Sequence, residues 1–243
     1  MKYTEESRIT FHRADINRIA RASAVLECMQ DAANTQFEIY GPTSEELFEK
    51  GLAFILSRIT IEYIKPIKLH EKVVTQTWPN DSHGYIFNRT FTVSNNGEIV
   101  ARAQSAWALI DYNNHRIAKV SDIRLNVSND EALPKDFSIR PYIPNPEKLA
   151  FLGAHTVMYS DADKNMHMNN TKYPDFICNY AMMKGRRMKR LSINFIGEAP
   201  LGDTVSAYGY FEGDTLYFRS IRGDGKQNID AIAEFCDIET DLI

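Results

Sequence analysis

Cysteine is scarce and scattered. The 243 residues hold three, Cys28, Cys178 and Cys236, and none forms a C-x-x-C pair. That excludes a disulfide framework and a cysteine-based zinc site as organising features, and it suits a reducing cytoplasm. His12, His70, His83, His115 and His155 show no metal-ligand spacing, so neither metal nor cofactor is expected. Positive charge is not in excess: the formal net charge is −4, which disfavours nucleic acid as the main partner. No apolar run approaches membrane-spanning length, and Met1-Lys2-Tyr3-Thr4-Glu5-Glu6 has no apolar signal core, so no membrane association or targeting is expected. What remains is ordinary for a globular chain: 44% apolar and 25% charged residues, with length for one large domain or two small ones.

What is present is an element order that occurs twice. Arg8–Phe11 reads as a short strand. A helix is predicted over Ala22–Tyr40, because Val25, Met29, Ala32, Ala33, Phe37 and Tyr40 recur mostly three or four apart and Gly41-Pro42 stops the run. A short second helix is predicted over Ser44–Lys50. Four strands follow: Phe54–Ile64, with Ile59, Ile61 and Tyr63 on one side; Lys72–Trp78, closed by the turn Pro79-Asn80-Asp81; then Tyr85–Val93 and Glu98–Ile110, joined by Asn95-Asn96-Gly97. Val120 to Leu149, with Pro134, Pro141, Pro144 and Pro146, reads as a linker along a surface. The second set is a strand at His155–Tyr159, a helix over Tyr173–Lys184 with Tyr173, Phe176, Ile177 and Tyr180 on its apolar face, and strands at Met188–Ile196, Thr204–Phe211, Leu216–Ile221 and Ile229–Ile238.

Residue matches support the repeat. Asp15-Ile16-Asn17 matches Asp163-Lys164-Asn165 at an offset of 148 (163 − 15). Ile59–Ile64 matches Leu191–Ile196 at 132 (191 − 59), and Gly97 matches Gly225 at 128 (225 − 97). The first drop falls in the helix region, where the first half has extra residues around Gly41–Leu52. Each half is thus a helix flanked by antiparallel strands, an α+β arrangement in which a sheet wraps a long helix. The expected division is a first unit over 1–125, a linker over 126–150 and a second unit over 151–243.

Chemistry concentrates in Asp163-Lys164-Asn165-Met166-His167-Met168-Asn169-Asn170-Thr171-Lys172-Tyr173. So many polar side chains at a helix entrance are costly in a packed core unless each is hydrogen-bonded. Residues two apart in extended chain face the same way, so Asp163, Asn165 and His167 are expected to converge on one spot. Asn169 and Asn170 suit helix caps at least as well as substrate contacts. The halves are unequal here: His167 answers to Ile19 and Glu198 to Pro66, so one site is expected rather than two.

The stretch resembles the D-x-N-x-H-x-N-N-x-x-Y signature of the acyl-acyl-carrier-protein thioesterases, the plant FatA/FatB family and its bacterial relatives. The likeness extends along the chain. Leu52–Ile59 resembles the family's W-V-L-S-R run, Val74–Trp78 its strand ending in T-W, and Gly97–Trp107 its G-E-x-x-x-R-A-x-S-x-W run. Ile193–Ala199 resembles the segment ending in R-E-C, which carries the family's glutamate. The resemblance implies a tandem hot-dog fold with edge-to-edge sheets, and hydrolysis of fatty acyl-ACP to free fatty acid. The family's cysteine after the glutamate is Ala199 here, which excludes a Cys-His mechanism at that place.

Thioester hydrolysis needs a water, a base and donors for the carbonyl oxyanion. Glu198 is the candidate base and His167 its partner on the water. Asn165 is the candidate to orient water or carbonyl, and Asp163 to anchor its neighbours. Backbone N–H groups at Met168 to Asn170 are the expected oxyanion donors. In the family the first unit is thought to hold the acyl chain, and Phe37, Phe54 and Leu56 are candidates to line it; plain core packing is the competing reading. Lys184, Arg186, Arg187, Lys189 and Arg190 form a basic cluster that suits an acidic carrier protein, the phosphates of coenzyme A, or simply a blunted strand edge. An acyl-CoA thioesterase, an acyl-thioester hydratase and a non-catalytic acyl-thioester-binding module are the alternatives. A duplicated chain supplies its own pseudo-dimer, so a monomer is the simplest expectation, with a homodimer as the other.

Overall fold

The computed structural model describes residues 2–80, 82, 84–114, 116–119, 123, 131–134, 136–137 and 140–238. Asp81, His83, His115 and Val120, and residues 126–130, 135 and 138–139 of the expected linker, lie outside the described residues.

The first half runs β1 (Tyr3–Arg8), α1 (Ala22–Tyr40), α2 (Ser44–Glu49), β2 (Leu52–Tyr63), β3 (Lys72–Pro79), β4 (Phe87–Asn95), β5 (Glu98–Asp111) and β6 (Arg116–Ala118). The second runs β7 (Ala150–Thr156), α3 (Tyr173–Cys178), β8 (Arg186–Phe195), β9 (Thr204–Glu212), β10 (Thr215–Ile221) and β11 (Gln227–Asp237). All strands form one antiparallel sheet in the order β1-β3-β4-β5-β2-β8-β11-β10-β9-β7, with β6 added beside β5. Each five-strand half has the same internal order, and the two meet at β2 and β8. Thr60 faces Ser192 across that seam, the residue 132 positions later in the repeat. Their hydroxyls lie 3.0 Å apart, so the pseudo-twofold axis passes through this pair. This is a tandem hot-dog fold.

α1 matches the predicted range and lies on β1, β3 and β4. Val25, Met29, Ala32 and Ala33 are buried, as are Ile59, Ile61 and Tyr63 of β2. Gly41 closes α1, its N–H donating to the Phe37 carbonyl. The predicted Asn96-Gly97 turn is a two-residue hairpin with φ of 48° and 81°, the geometry favoured between right-twisted strands.

Three expectations need correction. β1 and β7 both begin earlier than predicted, and Phe11 lies in a 3₁₀ turn after β1, 71% exposed. Both are the outer strands of the sheet, where half the backbone faces solvent and apolar alternation is a weak guide. The second unit has no long helix: α3 stops at Cys178, not Lys184. Tyr180 N and Ala181 N bond the carbonyls three residues back, Ile177 and Cys178, which tightens and ends the helix. The chain then turns at Gly185 (φ 74°) to enter β8. β6 was not anticipated. The described part of the linker lies along the sheet: Phe137 is buried, with the guanidinium groups of Arg102 and Arg190 5.2 and 4.9 Å from its ring centroid.

Candidate active site

Residues 163–167 are not extended. They form a tight turn folded around the Asp163 carboxylate. Asp163 Oδ1 accepts the Asn165 N–H (2.8 Å) and the His167 N–H (3.3 Å), while Asp163 N donates to the His167 carbonyl at 2.8 Å. Met166 takes φ 63°, the left-handed conformation that lets so short a loop close. The first half repeats the device. Asp15 Oδ1 accepts Asn17 N (2.8 Å) and Ile19 N (3.3 Å), Asp15 N donates to the Ile19 carbonyl (2.8 Å), and Arg18 takes φ 62°. The aspartate therefore builds the loop in both halves, and the halves differ in what the loop presents.

The two asparagines illustrate this. Asn17 Nδ2 donates to the carbonyls of Met183 (2.6 Å) and Arg186 (3.0 Å), and its Oδ1 accepts the Gly185 N–H (2.9 Å). It clamps the turn that follows α3. Asn165 is exposed, and its amide has no protein partner among the described residues.

His167 and Glu198 come together. His167 Nδ1 lies 3.3 Å from Glu198 Oε2, with side chains 31% and 62% exposed. The loop carrying Glu198 is firmly held. The Asn228 carbonyl accepts Ile196 N (2.8 Å) and Gly197 N (3.0 Å), and Arg222 donates to the Glu198 carbonyl at 2.8 Å. Asn228 is fully buried; its amide N donates to the Tyr173 hydroxyl at 2.9 Å and also reaches the Gly197 carbonyl. Burial pushes the Tyr173 hydroxyl up to about 12, so Tyr173 stays a neutral phenol. Sequence reasoning missed Asn228 and Arg222. Tyr173 closes the signature, but its apolar neighbours pointed only to packing.

The expected backbone donors shrink to one. Met168 N donates to Ala199 O and Asn169 N to Asp161 O, each at 2.8 Å. Among the described residues only the Asn170 N–H of the three is left without an acceptor. The Asn169 side chain caps the 3₁₀ turn Asn170–Lys172, accepting from Thr171 N at 2.9 Å. Asn170 is half-buried at the start of that turn.

An apolar cavity of about 80 Å³ opens in the first half between α1 and the sheet, lined by residues that include Phe37, Phe54, Phe87 and Trp107. The rings of Phe37 and Phe54 meet edge to face at 5.2 Å. Leu56 does not line it; it is packed in the main core. At the cavity wall Arg89 donates to Gln36 and Thr77, and burial draws its pKa down to about 10.

The basic cluster is less free than its sequence suggests. Arg186 pairs with Asp214 and Asp237, Arg187 donates to the Tyr63 and Ile64 carbonyls, and Arg190 binds Phe137. Lys184 and Lys189 remain exposed.

Known structures share this fold. An acyl-ACP thioesterase from Bacteroides thetaiotaomicron superposes with TM-score 0.82, at 20% identity, over 97% of this chain and 98% of its own. The 12:0-ACP thioesterase from Umbellularia californica gives 0.82, at 18% identity, over 98% of both chains. Among curated proteins, the chloroplastic palmitoyl-acyl carrier protein thioesterase of Arabidopsis thaliana is 23% identical over 210 residues, 79% of this chain and 51% of that protein. Oleoyl-acyl carrier protein thioesterase 2 of the same plant is 22% identical, covering 84% of this chain and 62% of its own length. The chain thus spans about half the length of the first of these relatives. The family profile described as the acyl-ACP thioesterase N-terminal domain matches residues 1–126, and the one described as the C-terminal domain matches residues 146–236. With both profiles in order over most of its length, the chain belongs to the acyl-ACP thioesterase family.

Proposed function

We propose that this chain hydrolyses the thioester of a fatty acyl chain borne by acyl carrier protein, releasing free fatty acid and ending elongation. The observation that carries the reading is the 3.3 Å contact between His167 Nδ1 and Glu198 Oε2, in one half of a chain whose other half has Ile19 and Pro66 in their places. The curated relatives named palmitoyl- and oleoyl-acyl carrier protein thioesterases support the choice of substrate.

The leaving thiolate resembles a cysteine thiolate, with a conjugate-acid pKa of about 8.5, and departs with little acid help. The work lies in making the nucleophile and holding the oxyanion. Glu198 takes a proton from water, and the resulting hydroxide attacks the thioester carbonyl carbon. His167, beside Glu198, orients that water and shares the proton. The Asn165 amide, which no group among the described residues engages, turns to the water or the carbonyl oxygen, and the Asn170 N–H, without an acceptor among those residues, is the backbone donor offered to the oxyanion. Collapse of the tetrahedral intermediate restores the carbonyl and breaks the C–S bond. Asp163 acts by folding the loop.

The halves divide the labour: residues 1–125 bind the acyl chain, 126–150 link, and 151–243 carry the chemistry. Phe37 and Phe54 line the acyl cavity, with Leu56 behind it in the core. Lys184 and Lys189 supply the charge an acidic carrier meets first, and the three arginines beside them stiffen that face. The test is release of free thiol from palmitoyl-, oleoyl- and dodecanoyl-ACP and from the matching CoA esters. Turnover of ACP esters in preference to CoA esters is expected. Preference for CoA would reassign the carrier, and a chain that binds these esters without hydrolysing any would refute the proposal.

A further inference from the structure

The pseudo-twofold makes the first half an internal control for the second. At the end of β2, the Val100 carbonyl accepts Ile64 N (2.8 Å) and Lys65 N (3.1 Å). At the end of β8, the Asn228 carbonyl accepts Ile196 N (2.8 Å) and Gly197 N (3.0 Å). The backbone task is the same, and a valine performs it. Asparagine at 228 therefore answers to some other need.

Its neighbours change with it. Tyr173 answers to Val25 at the helix offset of 148. Ser220 answers to Val93, since Ser220 pairs with Ile229 and Val93 with Ala101, and a register shift follows each. Three buried valines in one half are thus Tyr173, Ser220 and Asn228 in the other, all buried. The Ser220 hydroxyl donates to Asn228 Oδ1 at 2.9 Å, while Asn228 Nδ2 is shared between the Tyr173 hydroxyl (2.9 Å) and the Gly197 carbonyl. Burying three side chains with polar atoms where valines fit carries the desolvation cost of those atoms, and is tolerable only because the network is internally satisfied. It occurs only in the half that has His167 and Glu198.

We propose that the Ser220–Asn228–Tyr173 network is a positioning device for Glu198, with Asn228 at its centre. Gly197 N and O both bind Asn228, so the peptide preceding Glu198 cannot rotate. Gly197 sits tightly here: a Cβ would lie 3.0 Å from the Gln227 carbonyl, so a side chain would require the backbone to give. Tyr173 begins α3, directly after the loop and turn that follow His167, so the network ties the histidine side of the site to the glutamate side. The inference rests on Glu198 being the base of the proposed hydrolysis.

The test compares wild type, Asn228→Val, Glu198→Ala and the double variant on palmitoyl-, oleoyl- and dodecanoyl-ACP, with circular dichroism melts alongside. A triple variant, Tyr173→Phe, Ser220→Val and Asn228→Val, removes the side-chain partners together, leaving only the Gly197 carbonyl without its donor, and serves if Asn228→Val alone does not fold. The expected result is a fall in kcat of about 10- to 100-fold, as for a displaced catalytic group, with KM within about twofold and a displaced acid limb of the kcat–pH profile. In the Glu198→Ala background the same substitution should change kcat by less than about twofold, because its effect passes through Glu198. Folded Asn228→Val or triple variants with unaltered kcat, or an equal loss in both backgrounds, would overturn the positioning role and leave the hydrolase reading intact. An unimpaired Glu198→Ala, or a wild type without turnover, would overturn both.

Discussion

Asn17 and Asn165 occupy the same place in two copies of one loop, yet their removal should have opposite consequences. Asn17 makes three hydrogen bonds across the halves, at 2.6, 3.0 and 2.9 Å. At about 1 kcal/mol each, their loss amounts to about 3 kcal/mol. Water reaches these half-buried groups and recovers part of it, leaving about 2 kcal/mol for Asn17→Ala. For a chain of this size that is a drop in Tm of about 4–8 °C. Asn165→Ala deletes no side-chain hydrogen bond among the described residues and should alter stability by no more than about 0.5 kcal/mol. It should instead lower kcat about 10-fold or more, since the amide is free to orient the reacting groups. Thermal melts and thiol release on both variants decide the matter. Equal melting points, or a larger loss of stability for Asn165→Ala, would refute the idea that one copy of the loop became a clamp while the other stayed open.

Other predictions concern capping, the cavity and acid stability. Asp175 of α3 accepts from Ser23 N (3.4 Å) and Ser23 Oγ (2.8 Å), capping α1, whose own N-cap residue Arg21 supplies no side-chain bond. Asp175→Ala should cost about 1–2 kcal/mol in urea unfolding, and less when Ser23 is already alanine, where only the backbone N–H of residue 23 and the Arg21 pair remain to be lost. Phe37→Ala should cost about 2 kcal/mol, less than for a fully buried ring, and shift hydrolysis toward longer acyl chains in the ACP panel. Burial works to raise the Asp161 carboxyl, but the Met158 N–H, the His155 ring and the Lys172 charge outweigh it and hold it below its ordinary value of 3.8. A lowered carboxylate stabilises the fold above that value and ceases to do so as pH falls through the folded one. The stability advantage of wild type over Asp161→Asn should therefore be full at neutral pH and shrink below about pH 4 in pH-dependent melts.

How much of this was legible depended on what each residue answers to. The range of α1 was readable because its periodicity and Gly41 are local signals. The repeat was readable, and the offset that aligns Thr60 with Ser192 also pairs them across the seam, although the strands that meet there were not read from the sequence. α3 was overestimated because Tyr180, Ala181 and Met183 are apolar and packed at the core edge without being helical. Their backbone is drawn into a turn held by Asn17, 166 to 169 residues away, which no window of sequence reports. Asp163, Asn165 and His167 were expected to converge as alternate residues of extended chain, and they lie in a tight turn instead. The carboxylate of Asp163 gathers backbone N–H groups and turns the chain. Asn228 escaped notice because its importance lies in contrast with Val100, visible only once both carbonyls are seen to do the same task.

The most direct test of the central claim, one thioester-cleaving site built on His167 and Glu198, is kcat for Glu198→Ala against wild type on the best acyl-ACP of the panel. A loss of at least about 10²-fold, the scale of a general base, with KM little changed, is the predicted result. Turnover within a few-fold of wild type would contradict it.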